Sequence, residues 1–348
     1  MVSLLVPTIV FVVAGIAVYL AGVQLSDTTD VLSVRWGLGE ALSGLLLLAI
    51  ATNLPELVIT TSAALRGNLP LAIGNILGGI AIQTVVLVYL DVAVGESETL
   101  TYRGASLVLE GVLVIAVLVV VIMGSQLPGS LVIARVTPPE VLIVLLWVSG
   151  IWLLSKARTG LPWHEQGIPP GGQREPRGVG RTKNVSELGG YAASHTATVF
   201  LLAATTTLVG GVALEWSSSI LADGLGVSGA LFGATALAAV TALPEISTGL
   251  TAVRLNDYQL AISDIFGGNA FLPVLFLVAS LVSGQAVLPD LTAQNIYLSG
   301  LGCLLTAVYV AGLLFRSRYG IARMGIGSLV VLLLYVLGVL GLVIIPTS

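Results

Sequence analysis

Two glutamates of this chain stand in matching local patterns. Glu56 closes Ala51-Thr52-Asn53-Leu54-Pro55-Glu56 and Glu245 closes Thr241-Ala242-Leu243-Pro244-Glu245, each within a long apolar run. A carboxylate near mid-membrane costs about 3 kcal/mol or more, and such residues usually face a bundle interior or line an ion path. The proline beside each glutamate removes a backbone donor and clashes with the preceding turn. The carbonyls it frees must be satisfied by protein, water or a bound ion. Each stretch therefore reads as a helix broken around a polar site. Paired carboxylates offer hard oxygen donors suited to Ca²⁺ or Na⁺, and Thr52 and Thr241 stand one turn earlier on the same face. An isolated membrane glutamate can also be a protonated, hydrogen-bonded packing residue. Two in matched positions beside proline favour the ion-ligand reading.

The match continues beyond the glutamates at a constant offset of 189 residues. Thr52, Leu54, Pro55 and Glu56 correspond to Thr241, Leu243, Pro244 and Glu245. Further on, Leu71-Ala72-Ile73 corresponds to Leu260-Ala261-Ile262, Ile76 to Ile265, and Gly78-Gly79 to Gly267-Gly268, with no gap. Chance apolar similarity does not select Pro, Glu and Gly-Gly at fixed spacing.

The elements that must position these residues are membrane helices. Of 348 residues, 56% are hydrophobic and 9% charged, and the mean hydropathy is +1.03. That is too little charge to cover a soluble domain. Ten apolar segments are expected near 3–24, 36–64, 69–94, 105–123, 138–155, 195–213, 226–253, 259–283, 293–314 and 322–345. The first is long enough, and lacks the basic flank of a secretory peptide, to act as its own insertion signal. The stretch 156–190, with Pro169-Pro170-Gly171-Gly172 among scattered charges, reads as a linker. Residues 1–155 then form a first five-helix repeat with its motif at 51–83, and 191–348 a second with its motif at 240–272. Five spans separate each element from its twin, so the halves enter the membrane in opposite directions. The expected fold is an all-α polytopic membrane protein of ten transmembrane helices in two inverted five-helix repeats. Such architectures hold substrate between discontinuous helices near the midplane.

Lysine and arginine placement sets the orientation. With an extracytoplasmic N-terminus, only Arg66 and Arg135 fall outside and the other twelve of the 14 basic residues fall inside. Both termini are then extracytoplasmic and the 156–190 linker cytoplasmic. The lone Cys303 excludes an internal disulfide and a two-cysteine metal site.

The helix after each motif carries a stripe at spacings of four: Asn75, Gly79 and Gln83 in one half, Asp264, Gly268 and Leu272 in the other. Asn75, Gln83 and Asp264 are candidate site or gate residues, with Asn53 and Asn269 as further polar neighbours. The glycines also suit close helix contacts. Glu110 reads as a bundle-facing residue paired locally. Asp91, Glu140 and Asp290 fall near span ends, and the tryptophans largely near interfaces. No Gly-x-Ser-x-Gly, His-Glu-x-x-His or aspartate-rich lipid-phosphate motif is present, which argues against an intramembrane enzyme. A passive channel is the other alternative. No cofactor and no nucleic-acid partner is expected; the partners are inorganic cations and the bilayer.

The duplicated Thr-x-Leu-Pro-Glu, followed about twenty residues later by a small-residue pair, resembles the alpha repeats of the cation/calcium exchanger superfamily, which includes sodium/calcium exchangers. The resemblance spans nearly the whole chain. It implies an antiporter exchanging Ca²⁺ or a similar divalent for Na⁺, or in a proton-coupled form for H⁺, with alternating access. It further implies that Glu56 and Glu245 are the central acidic ligands, lined by Thr52 and Thr241, and that the first and sixth spans slide as the gate. The family motif usually reads Gly-Thr-Ser-Leu-Pro-Glu, followed by Gly-Ser with Asn or Asp four residues after the serine. Here the corresponding residues are Ala51-Thr52-Asn53 and Val240-Thr241-Ala242, then Gly79 and Gly268, then Gln83 and Leu272. Several expected side-chain oxygens are absent, and Asp264 is expected to add the missing charge or carry a proton.

Overall fold

The computed structural model describes residues 4–35, 51–94, 105–133, 135–159, 193–254, 258–315, 320–321 and 324–346. Among these, nine helices are long and apolar enough to cross a membrane. In chain order they are α1 (Leu5–Arg35), α3 (Leu69–Val94), α4 (Ala105–Gly124), α5 (Pro138–Thr159), α6 (Ala193–Leu225), α7 (Gly229–Arg254), α8 (Tyr258–Ser283), α9 (Ala293–Phe315) and α10 (Ile326–Ile344). The tenth, α2 (Leu54–Arg66), follows a helical turn at Ala51-Thr52 and a break at Asn53. Residues 36–50 of the expected second span and 160–190 of the linker lie outside the described residues. The fold is all-helical and polytopic, two inverted repeats of five helices. Small exceptions among the described residues are a hairpin before α10, where β1 (Gly320–Ile321) pairs antiparallel with β2 (Met324–Gly325), and an isolated bridge between Ile133 and Val136.

Two helices run well past their apolar segments. α1 continues to Arg35 instead of ending near 24, and α6 to Leu225 instead of 213. Polar residues resembling loops are absorbed by back-bonding to the preceding turn. The Thr28 hydroxyl donates to the Gln24 carbonyl at 2.6 Å, and the Ser217 hydroxyl to the Ala213 carbonyl at 2.7 Å. Each hydroxyl satisfied in this way can stay in an apolar setting. Positions 28 and 217 are themselves repeat twins, so the 189-residue offset reaches into α1 and α6.

Burial separates a core from a peripheral pair. The most apolar stretch of α3 is 89% buried, against 33% for α1 and 28% for α6. The main apolar cluster joins residues of α3, α4, α8 and α9, among them Ile80, Leu118, Phe266 and Leu305. α1 and α6 pack chiefly on each other, and each also lies on the broken helix of the opposite half: α6 on α2, α1 on α7. Gly22 of α1 faces Pro244, where a methyl group would stand 2.8 Å from the ring. Its twin Gly211 faces Val58 and the Pro55 carbonyl, where a methyl group would stand 2.8 Å from the valine. Small residues also let α3 and the first part of α7 meet backbone to backbone, Gly74 against Ala230 and Gly78 against Ala234.

Candidate functional site

The site forms where α2 and α7 break. Pro55 and Pro244 lie at the start of helices Leu54–Arg66 and Leu243–Arg254, and Glu56 and Glu245 fall in the first turn of each. The missing proline N–H leaves the carbonyls four residues back, Ala51 and Val240, without their usual helical donor. The positive end of a helix dipole also favours a carboxylate in its first turn. The upstream part of α7 contains a π-helical turn, Gly233–Leu237, which widens the helix against α3. Thus the same local signal, Leu-Pro-Glu, makes both the gap in the backbone and the acid that stands at it.

All nine side chains expected at the site are buried: Thr52, Asn53, Glu56, Asn75, Gln83, Thr241, Glu245, Asp264 and Asn269. The Gln83 amide of α3 donates to Glu245 Oε1 at 3.4 Å. The Thr241 hydroxyl donates to Asn75 Oδ1 at 3.4 Å and lies beside the Glu56 carboxyl. Asp264 accepts a 2.8 Å hydrogen bond from Thr248, and Glu245 feels the charges of both Glu56 and Asp264. The carboxyls of the two halves therefore share one polar region, crossed by α3 and α8.

Acceptors outnumber donors there. Among the described residues, neither Glu56 oxygen accepts a hydrogen bond of ordinary geometry, and Glu245 Oε2 and Gln83 Oε1 also accept none. Leaving buried acceptors unmatched costs about 1–3 kcal/mol each, so these oxygens call for a positive charge between them. Among the described residues no three His, Cys, Asp or Glu side chains are grouped as for one metal ion. The carboxylates would need amides, hydroxyls or the freed carbonyls to complete a cation shell.

The two stripes differ in use. Gly268 faces Asn53 and Gln83, at 2.9 Å and 3.5 Å from where a methyl group would stand, whereas Gly79 faces Leu272 at 3.5 Å. One side of the pseudo-two-fold is polar and the other apolar. Asn53 donates to its neighbour Thr52 at 3.4 Å. Asn269 points its amide into α3, donating to the Ile80 carbonyl and Thr84 hydroxyl at 3.4 Å, so it ties α8 to α3. Glu110 is bundle-facing, as its buried position predicts, and takes the Ser263 hydroxyl at 3.0 Å.

A family model described as sodium/calcium exchanger protein matches residues 6–155 and again 195–344. The chain belongs to the sodium/calcium exchanger protein family. A curated relative in Escherichia coli (strain K12), inner membrane protein YrbG, is 26% identical over 279 residues, covering 79% of each chain. Solved structures share the exchanger fold. The H⁺/Ca²⁺ exchanger CAX superposes with a TM-score of 0.64 at 14% identity, covering 97% of this chain and 88% of that one. Native YfkE gives 0.68 at 14% identity over 96% and 92%. The sodium-calcium exchanger NCX_Mj gives 0.59 at 16% identity over 97% and 98%. As a member of this family the chain is a multi-pass membrane transporter of inorganic cations, not an enzyme.

Two residues near the candidate site were not singled out from sequence. Thr248 looked like one more hydroxyl in α7, although its place three residues after Glu245 put it on the acid's face. Glu215 fell beyond the expected end of the sixth span. It is 1% exposed, and takes the Ser62 hydroxyl at 2.9 Å and Arg66 at 3.2 Å.

Proposed function

We propose that this exchanger is a secondary active antiporter that moves Ca²⁺, or a similar divalent cation, against Na⁺ by alternating access. The observation that carries this reading is the buried pair Glu56 and Glu245, one from each repeat, with three of their four oxygens accepting no hydrogen bond of ordinary geometry among the described residues. A cation between them would offset both the desolvation of the carboxylates and their mutual repulsion. An empty site would keep both costs, so closure around the site is favoured when it is loaded. Glu56, Glu245 and Asp264 supply charge; Thr52, Thr241, Asn75, Gln83 and Asn53 supply neutral oxygens around them.

Ion-driven ⁴⁵Ca²⁺ uptake into proteoliposomes tests the reading. Uptake should follow an opposing Na⁺ gradient and vanish in Glu56→Gln and Glu245→Gln; full flux in either variant would sink it. Proton coupling is the second reading, supported by glycine at 79 and 268 and leucine at 272, which leave few neutral oxygens for extra sodium ions. Uptake driven by a pH gradient with no Na⁺ present would select it. The distribution of basic residues supports extracytoplasmic termini, and terminal reporter fusions active only in the cytoplasm should stay silent.

A further inference from the structure

In an inverted repeat, the two crevices through which a central site opens are copies of each other, and any difference between them biases which one is shut. Here the copies are the α2/α6 and α1/α7 crevices. They agree closely along most of their length. Gly211 on the Pro55 turn matches Gly22 on Pro244. The back-bonds of Ser217 and Thr28 fall on twin carbonyls, and the next hydroxyls, Ser218 and Thr29, are both buried.

The match fails at one cluster. Glu215 of α6 takes the Ser62 hydroxyl at 2.9 Å and the Arg66 guanidinium at 3.2 Å, both from α2. Its twin position on α1 is Ser26, and the twins of Ser62 and Arg66 are Thr251 and Leu255. The sequence has neither an acid nor a base at these twin positions; the nearest charged residues, Asp27 of α1 and Arg254 of α7, lie one position away and are half-buried and exposed, where Glu215 is buried. Burial differs in the same sense: Ser62 is buried, while Thr251 is exposed; Ile59 is buried, while its twin Thr248 is half-buried. The α2/α6 crevice, which carries the ion pair, is packed from Gly211 on Val58 to Glu215 on Ser62 and Arg66.

We propose that Glu215, with Ser62 and Arg66, is a one-sided latch that holds α6 against α2 and so sets the resting preference between the exchanger's two access states. Glu215 is a positioning residue. It lies outside the cation site and acts through α6. The inference rests on the alternating-access reading above, and on the orientation given there the latched face is extracytoplasmic. An acid buried to 1% exposure whose charged partner is 46% exposed suits a contact that breaks when α6 moves, because the arginine can return to water. The carboxylate would then be wetted as the crevice opens, so neither charge is left buried and alone.

The test uses the full chain in proteoliposomes, in a Cys303→Ser background that removes the one native thiol. Spin labels at the exposed positions Leu65 and Leu225 report the gap between the ends of α2 and α6 by pulsed electron-electron resonance. The unlatched variants take the residues of the other crevice, Glu215→Ser and Arg66→Leu, and Thr251→Ser serves as a control. The short-distance population should dominate in the parent, and the long-distance population should rise at least threefold in each latch variant but not in the control. In flux, the apparent KM for cation on the latched face should fall at least threefold with little change in maximal rate. An unchanged distance distribution in both latch variants would overturn the proposal, even if their thermal stability fell. A parent with no cation flux would instead overturn the antiporter reading, and the distance measurement would still decide the latch.

Discussion

The Gln83 amide and the Glu245 carboxyl meet at 3.4 Å across the two halves of the chain, and their twins do not repeat the contact, because position 272 is leucine. The asymmetry makes the two glutamates chemically unequal. Replacing Gln83 by Leu removes both a donor to Glu245 and a buried oxygen, at a cost of about 1–2 kcal/mol in cation binding, or roughly a tenfold weaker apparent affinity. Leu272→Gln should work in the opposite direction by offering Glu56 an amide donor from α8, giving tighter divalent binding. Concentration dependence of ⁴⁵Ca²⁺ uptake measures both, and equal affinities for the two variants would contradict the argument.

Gly78 and Gly79 are neighbours with opposite surroundings. A methyl group at Gly78 would collide with the Ala234 backbone of α7, whereas one at Gly79 would make an ordinary 3.5 Å contact with Leu272. Gly78→Ala must push α3 from α7 and should destabilise by about 1–3 kcal/mol. Gly79→Ala removes a helix glycine at no steric cost and should be neutral or stabilising by up to about 1 kcal/mol. Thermal unfolding in detergent, read by monodispersity against temperature, should place Gly78→Ala below the parent and Gly79→Ala level with it or above.

Sequence carried the acids and their repeat clearly because Leu-Pro-Glu has no reason to recur in an apolar helix unless the backbone must break beside a charge. It carried the ends of α1 and α6 poorly. Hydropathy weighs Thr28, Thr29, Ser217 and Ser218 as polar residues exposed to their surroundings, whereas in the fold the hydroxyls of Thr28 and Ser217 bond their own helix. Glu215 was missed for that reason, since it follows Gly210-Gly211 and precedes Trp216 and three serines, a composition typical of a span end. Asn269 illustrates a different limit: only packing shows that its NH2 group ties α8 to α3 through the Ile80 carbonyl and Thr84, while its Oδ1 accepts no hydrogen bond among the described residues.

Thr248 gives the Asp264 carboxyl a 2.8 Å hydrogen bond from within the helix that carries Glu245. A hydrogen bond to a charged group contributes about 1.5–3 kcal/mol, and its loss should weaken the hold on Asp264 at the site. Thr248→Val keeps the shape and removes the donor, so cation affinity should drop about tenfold or more while the protein remains folded. Thr251→Val is the matched control, because its hydroxyl bonds the Ser247 carbonyl on an exposed face. Equal flux from the two variants at limiting cation would show that Thr248 does not hold Asp264 in place.

Arg66 and Glu215 should respond unequally to removal, because only one of them is buried. Glu215 is 1% exposed and Arg66 46%. Arg66→Ala strands a carboxyl in an apolar setting, with Ser62 its one remaining side-chain donor among the described residues, and an incompletely matched buried acceptor costs about 1–3 kcal/mol. Glu215→Gln leaves the arginine free to be hydrated and keeps a side-chain oxygen for Ser62, so its cost should stay within about 1 kcal/mol, the range of exposed ion pairs. Thermal unfolding at low salt should rank the parent first, Glu215→Gln next and Arg66→Ala last. Added salt should narrow the gap between the parent and Glu215→Gln, since the half-exposed guanidinium is open to screening. The reverse order would mean that the arginine contributes little to the contact and that Glu215 is held by Ser62 alone.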